Sequence, residues 1–439
     1  MKVLIIGAST AGSLCALELR KADKEIEIKI LEKGQELQFS PCAMPYVLSG
    51  EIGDANQIRL MSEADYKNLD IEVMKDAEVE KIKCKERKVV LSNGKEESYD
   101  KLVVATGSKP KRPPIDIEDG SDVHFFKTLE DLSELVDIKS KDVAIIGAGL
   151  IGIETAHALK NRGKNVTIIE SEDSILPNMM DPDMTKEIED YILDDGVMIK
   201  KSASVSKIGK DHMIVDGENM KTESIIMATG FSPVLAIAEN SGIETDVGIK
   251  TDRYMRTNEG DIFACGDCAE SNHMITGETI LSQLATTAYE QAKIVANNIL
   301  GNKKKMRQIL NSSVSKIGGK FFGSVGVTSS IAKKRGIEHV FSRYSSFNTA
   351  EYYARDSSFI VKLVADMKGK LIGAQFISDQ NISGHLNMLS LAIRKRMDIN
   401  DLVETETCYN PASNPLHDPI KMCAEILSKK LEMKKRRKG

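Results

Sequence analysis

The sequence predicts an α/β protein in which one strand–turn–helix–strand unit occurs twice and a smaller α+β domain follows. Three observations carry that prediction. Two glycine-rich hexapeptides, Gly7-Ala8-Ser9-Thr10-Ala11-Gly12 and Gly147-Ala148-Gly149-Leu150-Ile151-Gly152, each follow a short apolar run, residues 3–6 and 143–146. Each then leads into a helical apolar pattern and a second apolar run that ends in an acid, Glu32 or Glu170. Each half later carries an apolar run into a Thr-Gly-x-x-Pro segment, Thr106-Gly107-Ser108-Lys109-Pro110 and Thr229-Gly230-Phe231-Ser232-Pro233. Two halves with the same parts in the same order read as a duplicated βαβ nucleotide-binding unit.

Composition agrees and excludes much else. The chain has 439 residues, about three domains at roughly 150 residues each. It has 60 basic and 65 acidic residues, a net charge of −5, without the basic face that a general nucleic-acid binder needs. The longest uncharged apolar stretch, residues 143–153, is far short of a membrane span. Lys2 followed by an apolar run resembles a secretory leader, but Gly7 and Gly12 within it fit a nucleotide turn better. Seven scattered cysteines form no disulfide framework and point to a reducing cytoplasm.

The elements follow in order. In each glycine-rich turn the first glycine permits the tight bend, the second lets backbone approach a pyrophosphate, and the third lets helix pack on strand. The helix N-terminus then offers N–H groups and a partial positive charge to the phosphates. The acid after the second strand accepts from a ribose hydroxyl. Ser9 replaces the middle glycine of the first copy; the second copy is complete and adds Glu154. Glu170 repels a 2′-phosphate, so NADH is expected ahead of NADPH. Residues 109–119 read as a crossing between domains. Residues 313–425 lack a nucleotide turn and alternate β-rich runs (359–364, 371–376) with a helical stretch (386–393), an α+β domain. The basic end, residues 428–439, reads as a solvated, frayed tail. Cys265 and Cys268 form an isolated Cys-x-x-Cys without the second half of a zinc site, so core packing is expected and no metal. The seven histidines show no ligand spacing.

Two dinucleotide units in one chain, together with residues 261–267 (Asp-Ile-Phe-Ala-Cys-Gly-Asp) and 284–288 (Leu-Ala-Thr-Thr-Ala), resemble the FAD-dependent pyridine nucleotide–disulfide oxidoreductases over essentially the whole chain. The resemblance implies an FAD-binding domain in two parts, residues 1–110 and 235–312. An NAD(P)H-binding domain covers 111–234, a dimerisation domain 313–427, and a basic tail 428–439. It places FAD against Gly7, Ser9, Thr10, Ala11, Gly12, Glu32, Lys33, Ser40, Thr106, Gly107 and Asp267. Leu284, Ala285 and Thr286 open a helix toward the flavin. It places NADH, with NADPH as the alternative, against Gly147, Gly149, Leu150, Ile151, Gly152, Glu154, Glu170, Thr229 and Gly230.

The branch of the family is read from sulfur. Residues 39–46 (Phe-Ser-Pro-Cys-Ala-Met-Pro-Tyr) hold one cysteine, Cys42, where the glutathione-reductase type has a Cys-x4-Cys pair. That resembles the single-cysteine branch of coenzyme A disulfide reductases, NADH oxidases and peroxidases, and polysulfide reductases. Cys42 is expected to open a helix and so to have a lowered pKa. Oxidases and peroxidases of this branch place a histidine in the first glycine-rich turn; here Thr10 stands there, which favours disulfide reduction. Tyr352-Tyr353 and Tyr409 in Cys408-Tyr409-Asn410-Pro411 match the tyrosines with which coenzyme A disulfide reductases reach the partner's site and protonate the leaving thiolate, although Ala412 replaces a proline.

The expected activity follows. Hydride passes from NADH through FAD to Cys42, which reduces a disulfide, coenzyme A disulfide or a per- or polysulfide, in a cytoplasmic homodimer without nucleic-acid or membrane partners. Coenzyme A enters as substrate or as a mixed disulfide on Cys42. Lys316 and Arg20 are candidate cations for its phosphates and ordinary surface residues by default. An NADH oxidase or peroxidase, a reductase of electron-carrier proteins, and a redox-sensing flavoprotein are the rivals.

Overall fold

The computed structural model describes residues 1–353 and 357–438. The first apolar runs form parallel strands Lys2–Ile6 and Glu27–Leu31, joined by helix Thr10–Ala22. Their sheet has five strands in the order Ile262–Ala264, Lys101–Val104, Lys2–Ile6, Glu27–Leu31, Glu72–Met74. The chain thus returns to its first sheet after an excursion of more than a hundred residues, and helix Ala285–Ile299 packs on helix Thr10–Ala22. Residues 3–5 and 102–104 are fully buried, in one core with helices Thr10–Ala22 and Ala285–Ile299 and with Ile82, Val89 and Leu91 of a small antiparallel sheet.

The second unit repeats this. Strands Asp142–Ile146 and Asn165–Ile169 flank helix Leu150–Asn161 in a sheet ordered Val123–His124, Ser224–Met227, Asp142–Ile146, Asn165–Ile169, Met198–Lys200. The two Thr-Gly-x-x-Pro segments pair with each other: strand Ser108–Pro110 runs antiparallel to Phe231–Pro233. That ribbon shares only residues 109–110 with the segment 109–119, and it lies beyond the carboxyl ends of strands of both parallel sheets, where nucleotides bind in such folds.

The C-terminal domain is a five-stranded antiparallel sheet ordered Ser313–Ile317, Lys320–Gly326, Leu371–Ser378, Ser358–Asp366, His339–Phe347. Helices Ser383–Arg394 and Pro419–Lys438 pack on it. Here the frayed tail is corrected. Helix Pro419–Lys438 runs through residue 428 without a break, and Gly439 lies outside the described residues. Leu427 and Leu431, one helical turn apart, are buried in the core of this domain. Lys430 and Lys434 donate Nζ–H to the carbonyls of Phe341 (3.3 Å) and His339 (2.9 Å). A buried i, i+4 stripe and cations at a helix C-terminus outweigh the repulsion among the basic residues. Among the described residues no helix is long and apolar enough to cross a membrane.

Candidate functional site

The two glycine-rich turns are near copies in space. Gly7 N–H donates to Leu31 O and Gly147 N–H to Ile169 O, both at 2.8 Å. A Cβ on Gly12 would collide with the Gly7 carbonyl, and one on Gly152 with the Gly147 carbonyl, so helix and strand touch at the third glycine of each turn. At Gly149 a Cβ would meet nothing, so the backbone there is open. Ser9 and Gly149 cap the two helices in extended conformation without a side-chain hydrogen bond, and Thr10, Ala11, Leu150 and Ile151 form the first turns.

The two acids are held alike. Glu32 accepts from Ala8 N (2.8 Å) and Gly34 N (2.9 Å). Glu170 accepts from Ala148 N (2.7 Å), Ser171 Oγ (3.1 Å) and Glu172 N (2.9 Å). Each carboxylate is locked beside its turn with lone pairs to spare. Lys33 is exposed just after Glu32, and Ser40 precedes the turn that carries Cys42.

Between the units, Thr106 Oγ1 donates to Val234 O (3.0 Å) and Thr229 Oγ1 to Lys111 O (2.7 Å). Gly107 and Gly230 take φ of +68° and +90°, a conformation that disfavours any side chain. Asp267 accepts from Ser108 Oγ at 2.7 Å. Lys127 lies 3.4 Å from Asp267 and 3.0 Å from Ser108 Oγ, with its Nζ 4.6 Å from the Phe231 ring centroid. Neither Ser108 nor Lys127 carried a motif of its own; Ser108 could have been found from its place beside Thr106-Gly107. Helix Ala285–Ile299 opens at Leu284 without a side-chain cap, which leaves its first N–H groups, those of Ala285 and Thr286 included, for an anionic acceptor.

Cys42 lies in a 3-10 turn, Pro41–Ala43, ahead of the short helix Met44–Ser49. The expected lowering of its pKa is not what the surroundings produce. Its residue surface is exposed, yet the protein around the sulfur desolvates a thiolate, and Glu154 and Asp267 repel one. Lys127 opposes them without prevailing, so the thiol is pushed above its ordinary value. A six-residue helix behind a 3-10 turn offers too small a dipole to offset two carboxylates.

Glu154 stands apart from the rest of the second copy. It lies on helix Leu150–Asn161, but Ser315 of the C-terminal sheet donates its hydroxyl to the carboxylate. Burial lifts the carboxyl to about 7 despite that bond. Cys265 and Cys268 are fully buried in the core of the first unit. Arg20 is buried and spends its guanidinium on the carbonyls of Lys24, Ile26 and Asp70, so it is a structural residue rather than a phosphate ligand. Lys316 is paired with Glu51 at 2.9 Å. At the far end Tyr352 and Tyr409 share a hydroxyl–hydroxyl hydrogen bond of 2.7 Å, with 76% and 47% of their surfaces exposed. That bond raises the Tyr409 pKa and keeps its proton in place. Tyr353 is exposed beside them without joining that bond.

Residues 1–296 match the model of the family described as pyridine nucleotide-disulphide oxidoreductase, and residues 321–417 match that family's dimerisation domain. The chain belongs to the pyridine nucleotide-disulphide oxidoreductases. It is 35% identical to an NADH oxidase of Methanocaldococcus jannaschii over 99% of this chain and 100% of that protein. It is 28% identical to a CoA-dependent NAD(P)H sulfur oxidoreductase of Pyrococcus furiosus, over 97% and 99% of the two chains. The structure of an NAD-dependent persulfide reductase from A. fulgidus superposes with a TM-score of 0.95 at 28% identity, covering 98% of this chain and 84% of that one. This oxidoreductase is an NAD(P)H-dependent flavoprotein enzyme, and the two cradles opened by Gly7–Gly12 and Gly147–Gly152 fit the two dinucleotides that its family implies.

Proposed function

We propose that this oxidoreductase reduces a disulfide, coenzyme A disulfide or a per- or polysulfide, at the single thiol Cys42, with NADH as donor. The observation that carries the reading is Cys42 itself: an exposed, free thiol on which the charges of Glu154, Asp267 and Lys127 act, with Thr10 rather than a histidine in the first glycine-rich turn. The similarity to the sulfur oxidoreductase and the persulfide reductase supports the same chemistry.

FAD, which the first glycine-rich turn, Glu32 and Asp267 would hold, would supply the two-electron carrier between nicotinamide and sulfur. The chain's own residues do the rest. Glu32 and Glu170 fix the two riboses, and Asp267 is presented by Ser108 and Lys127. The Cys42 thiolate attacks one sulfur of the acceptor disulfide and expels the other half as a thiol, leaving a mixed disulfide; the incoming electron pair then cleaves it. The sum is NADH, one proton and one disulfide giving NAD⁺ and two thiols. Tyr409, bonded to Tyr352, hands its hydroxyl proton to the departing thiolate, supplied across a homodimer built on the C-terminal domain. Tyr353 borders that pair. The expected result for Tyr409→Phe is a fall in disulfide turnover of about tenfold or more with normal flavin reduction by NADH, measured by stopped flow.

The donor preference has its own test. Glu170, Glu172 and Asp173 crowd the ribose end of the second unit with negative charge. Replacing Glu170 by alanine together with Ser171→Arg is expected to move the kcat/KM preference toward NADPH by about tenfold or more, the worth of one charge-assisted contact. An unchanged preference would place the 2′-position elsewhere.

A second reading rests on the M. jannaschii relative, whose name is NADH oxidase. Cys42 then cycles through a sulfenate, and oxygen or peroxide is the acceptor. The deciding assay is the initial rate of NADH oxidation by FAD-loaded protein, anaerobically with coenzyme A disulfide, beside an aerobic control without it. Fast anaerobic turnover is expected. Negligible anaerobic turnover with brisk aerobic loss of NADH would overturn the disulfide reading.

A further inference from the structure

The C-terminal sheet ends in a long strand, His339–Phe347, nine residues that pair with Ser358–Asp366 on one side only. Among the described residues no strand lies beyond it. An edge strand presents unpaired N–H and C=O groups to any other strand, and a long one with exposed aromatic side chains is a template for pairing between copies. This edge carries Phe341, 41% exposed, and the half-buried Tyr344 and Phe347.

Helix Pro419–Lys438 runs along one face of that strand. Ser342 Oγ donates to Cys423 O at 2.8 Å, and Leu427 and Leu431 lie in the core beneath. Beside this buried stripe, Lys430 Nζ donates to Phe341 O (3.3 Å) and Lys434 Nζ to His339 O (2.9 Å). The two repeats match. Four residues of helix rise about 6 Å and two residues of strand about 6.8 Å, so lysines at i and i+4 meet carbonyls two apart on a strand running the opposite way. Successive side chains of a strand point to opposite faces, and the helix packs on the Ser342 face. Yet Lys430 Nζ lies 5.7 Å from the centroid of the Phe341 ring, on the other face. The lysine therefore passes around the open edge of the sheet.

We propose that the basic end of helix Pro419–Lys438 guards this edge: Lys430 and Lys434 cap the carbonyls of Phe341 and His339 and keep a second copy of the chain from adding its own strand there. A second copy is the partner the bare edge fits, because it offers the same unpaired strand and a two-fold antiparallel pairing satisfies both. With the guard in place, an incoming N–H has to displace a charge-assisted hydrogen bond, and the lysines of the two copies face each other. The role also accounts for a run of lysines and arginines held in an ordered helix. It is independent of the thiol chemistry at Cys42.

The test is Lys430→Met with Lys434→Met in the FAD-loaded full chain, followed by light scattering and gel filtration at rising protein concentration, below the unfolding temperature. Methionine keeps the helix propensity of lysine. Assemblies larger than the parent are expected to grow about tenfold faster or more, since each carbonyl loses a bond to a charged donor. The Tm and flavin spectrum of the unassembled fraction stay those of the parent. Lys430→Arg with Lys434→Arg keeps the parent's size. The control is Lys435→Met with Arg437→Met, two exposed cations on the same helix. Each methionine pair moves the net charge from −5 to −7, and a charge farther from zero by itself favours solubility. Assembly of the guard variant alone therefore isolates the edge. A parent-like size for Lys430→Met with Lys434→Met, or equal assembly of the control, would overturn the proposal. If the double variant fails to fold, Lys434→Met alone, read in the same way, decides it.

Discussion

Replacing Cys42 by serine is expected to abolish disulfide reduction, lowering turnover by at least about a thousandfold, while FAD stays bound and NADH still reduces it. The reason is chemical: an alcohol with a far higher pKa cannot attack a disulfide or hold a mixed disulfide, and no other group in the site can replace that step. Losses of this size follow the removal of a nucleophile that acts as a unit with its neighbours. The fold is indifferent to the change, because Cys42 is exposed and its sulfur is not a core contact. Three measurements check it: the anaerobic rate with coenzyme A disulfide, the flavin absorbance of the purified variant, and the rate of flavin bleaching by NADH. Retained disulfide turnover would remove Cys42 from the mechanism.

The second large effect is on stability. Asp181 and Lys362 are 1% and 2% exposed and lie 2.9 Å apart, joining the nucleotide unit to the C-terminal sheet. Asp181 also accepts from Gln375 Nε2 (2.6 Å), Ser329 Oγ (2.8 Å), and the backbone N–H groups of Ser329 (3.0 Å) and Ser330 (2.8 Å). Lys362 has a second partner in Asp183 at 2.6 Å. Asp181→Ala strips four donors and leaves a buried ammonium with one partner, which costs about 3–5 kcal/mol. The expected result is a loss of several degrees in Tm, read by calorimetry with FAD saturating. Lys362→Met with Asp181→Leu is expected to recover much of that loss, since a matched apolar pair leaves no buried charge. The donors hold the Asp181 carboxyl far below the ordinary carboxylate range. Its contribution is therefore complete above the unfolded value near 4 and is lost only as pH falls further. A Tm unchanged in the single variant would show that the two domains hold together without this pair.

Much of this architecture was legible because its signals are local. A tight turn at Gly7 or Gly147, a close helix–strand contact at Gly12 or Gly152, and an acid at Glu32 or Glu170 each impose a residue type at a fixed offset. A chain carrying two such sets declares two βαβ units. Cys42, Asp267, Tyr352 and Tyr409 were likewise singled out as candidates through short motifs. What escaped were relations that sequence spacing does not encode. Lys127 and Ser108 meet Asp267 only because the two Thr-Gly-x-x-Pro segments pair across the domains. Ser315 reaches Glu154 across 161 positions of chain. The pKa of Cys42 was misread from a local cue, a helix start, when the sum of burial and two distant carboxylates governs it. The C-terminal helix was misread for the same reason: its run of lysines and arginines looks solvated, while the Leu427–Leu431 stripe that holds it has meaning only against the C-terminal sheet.

The sequence by itself thus determined the duplicated strand–turn–helix–strand units and marked Cys42 as the candidate thiol, because backbone sterics and thiol chemistry are properties of a few adjacent residues. Only the tertiary structure decided the electrostatics of that thiol and the joints between domains. Charge interactions and desolvation depend on distance through space, and in this chain the decisive partners of Cys42, Asp267 and Asp181 all lie far away along the sequence.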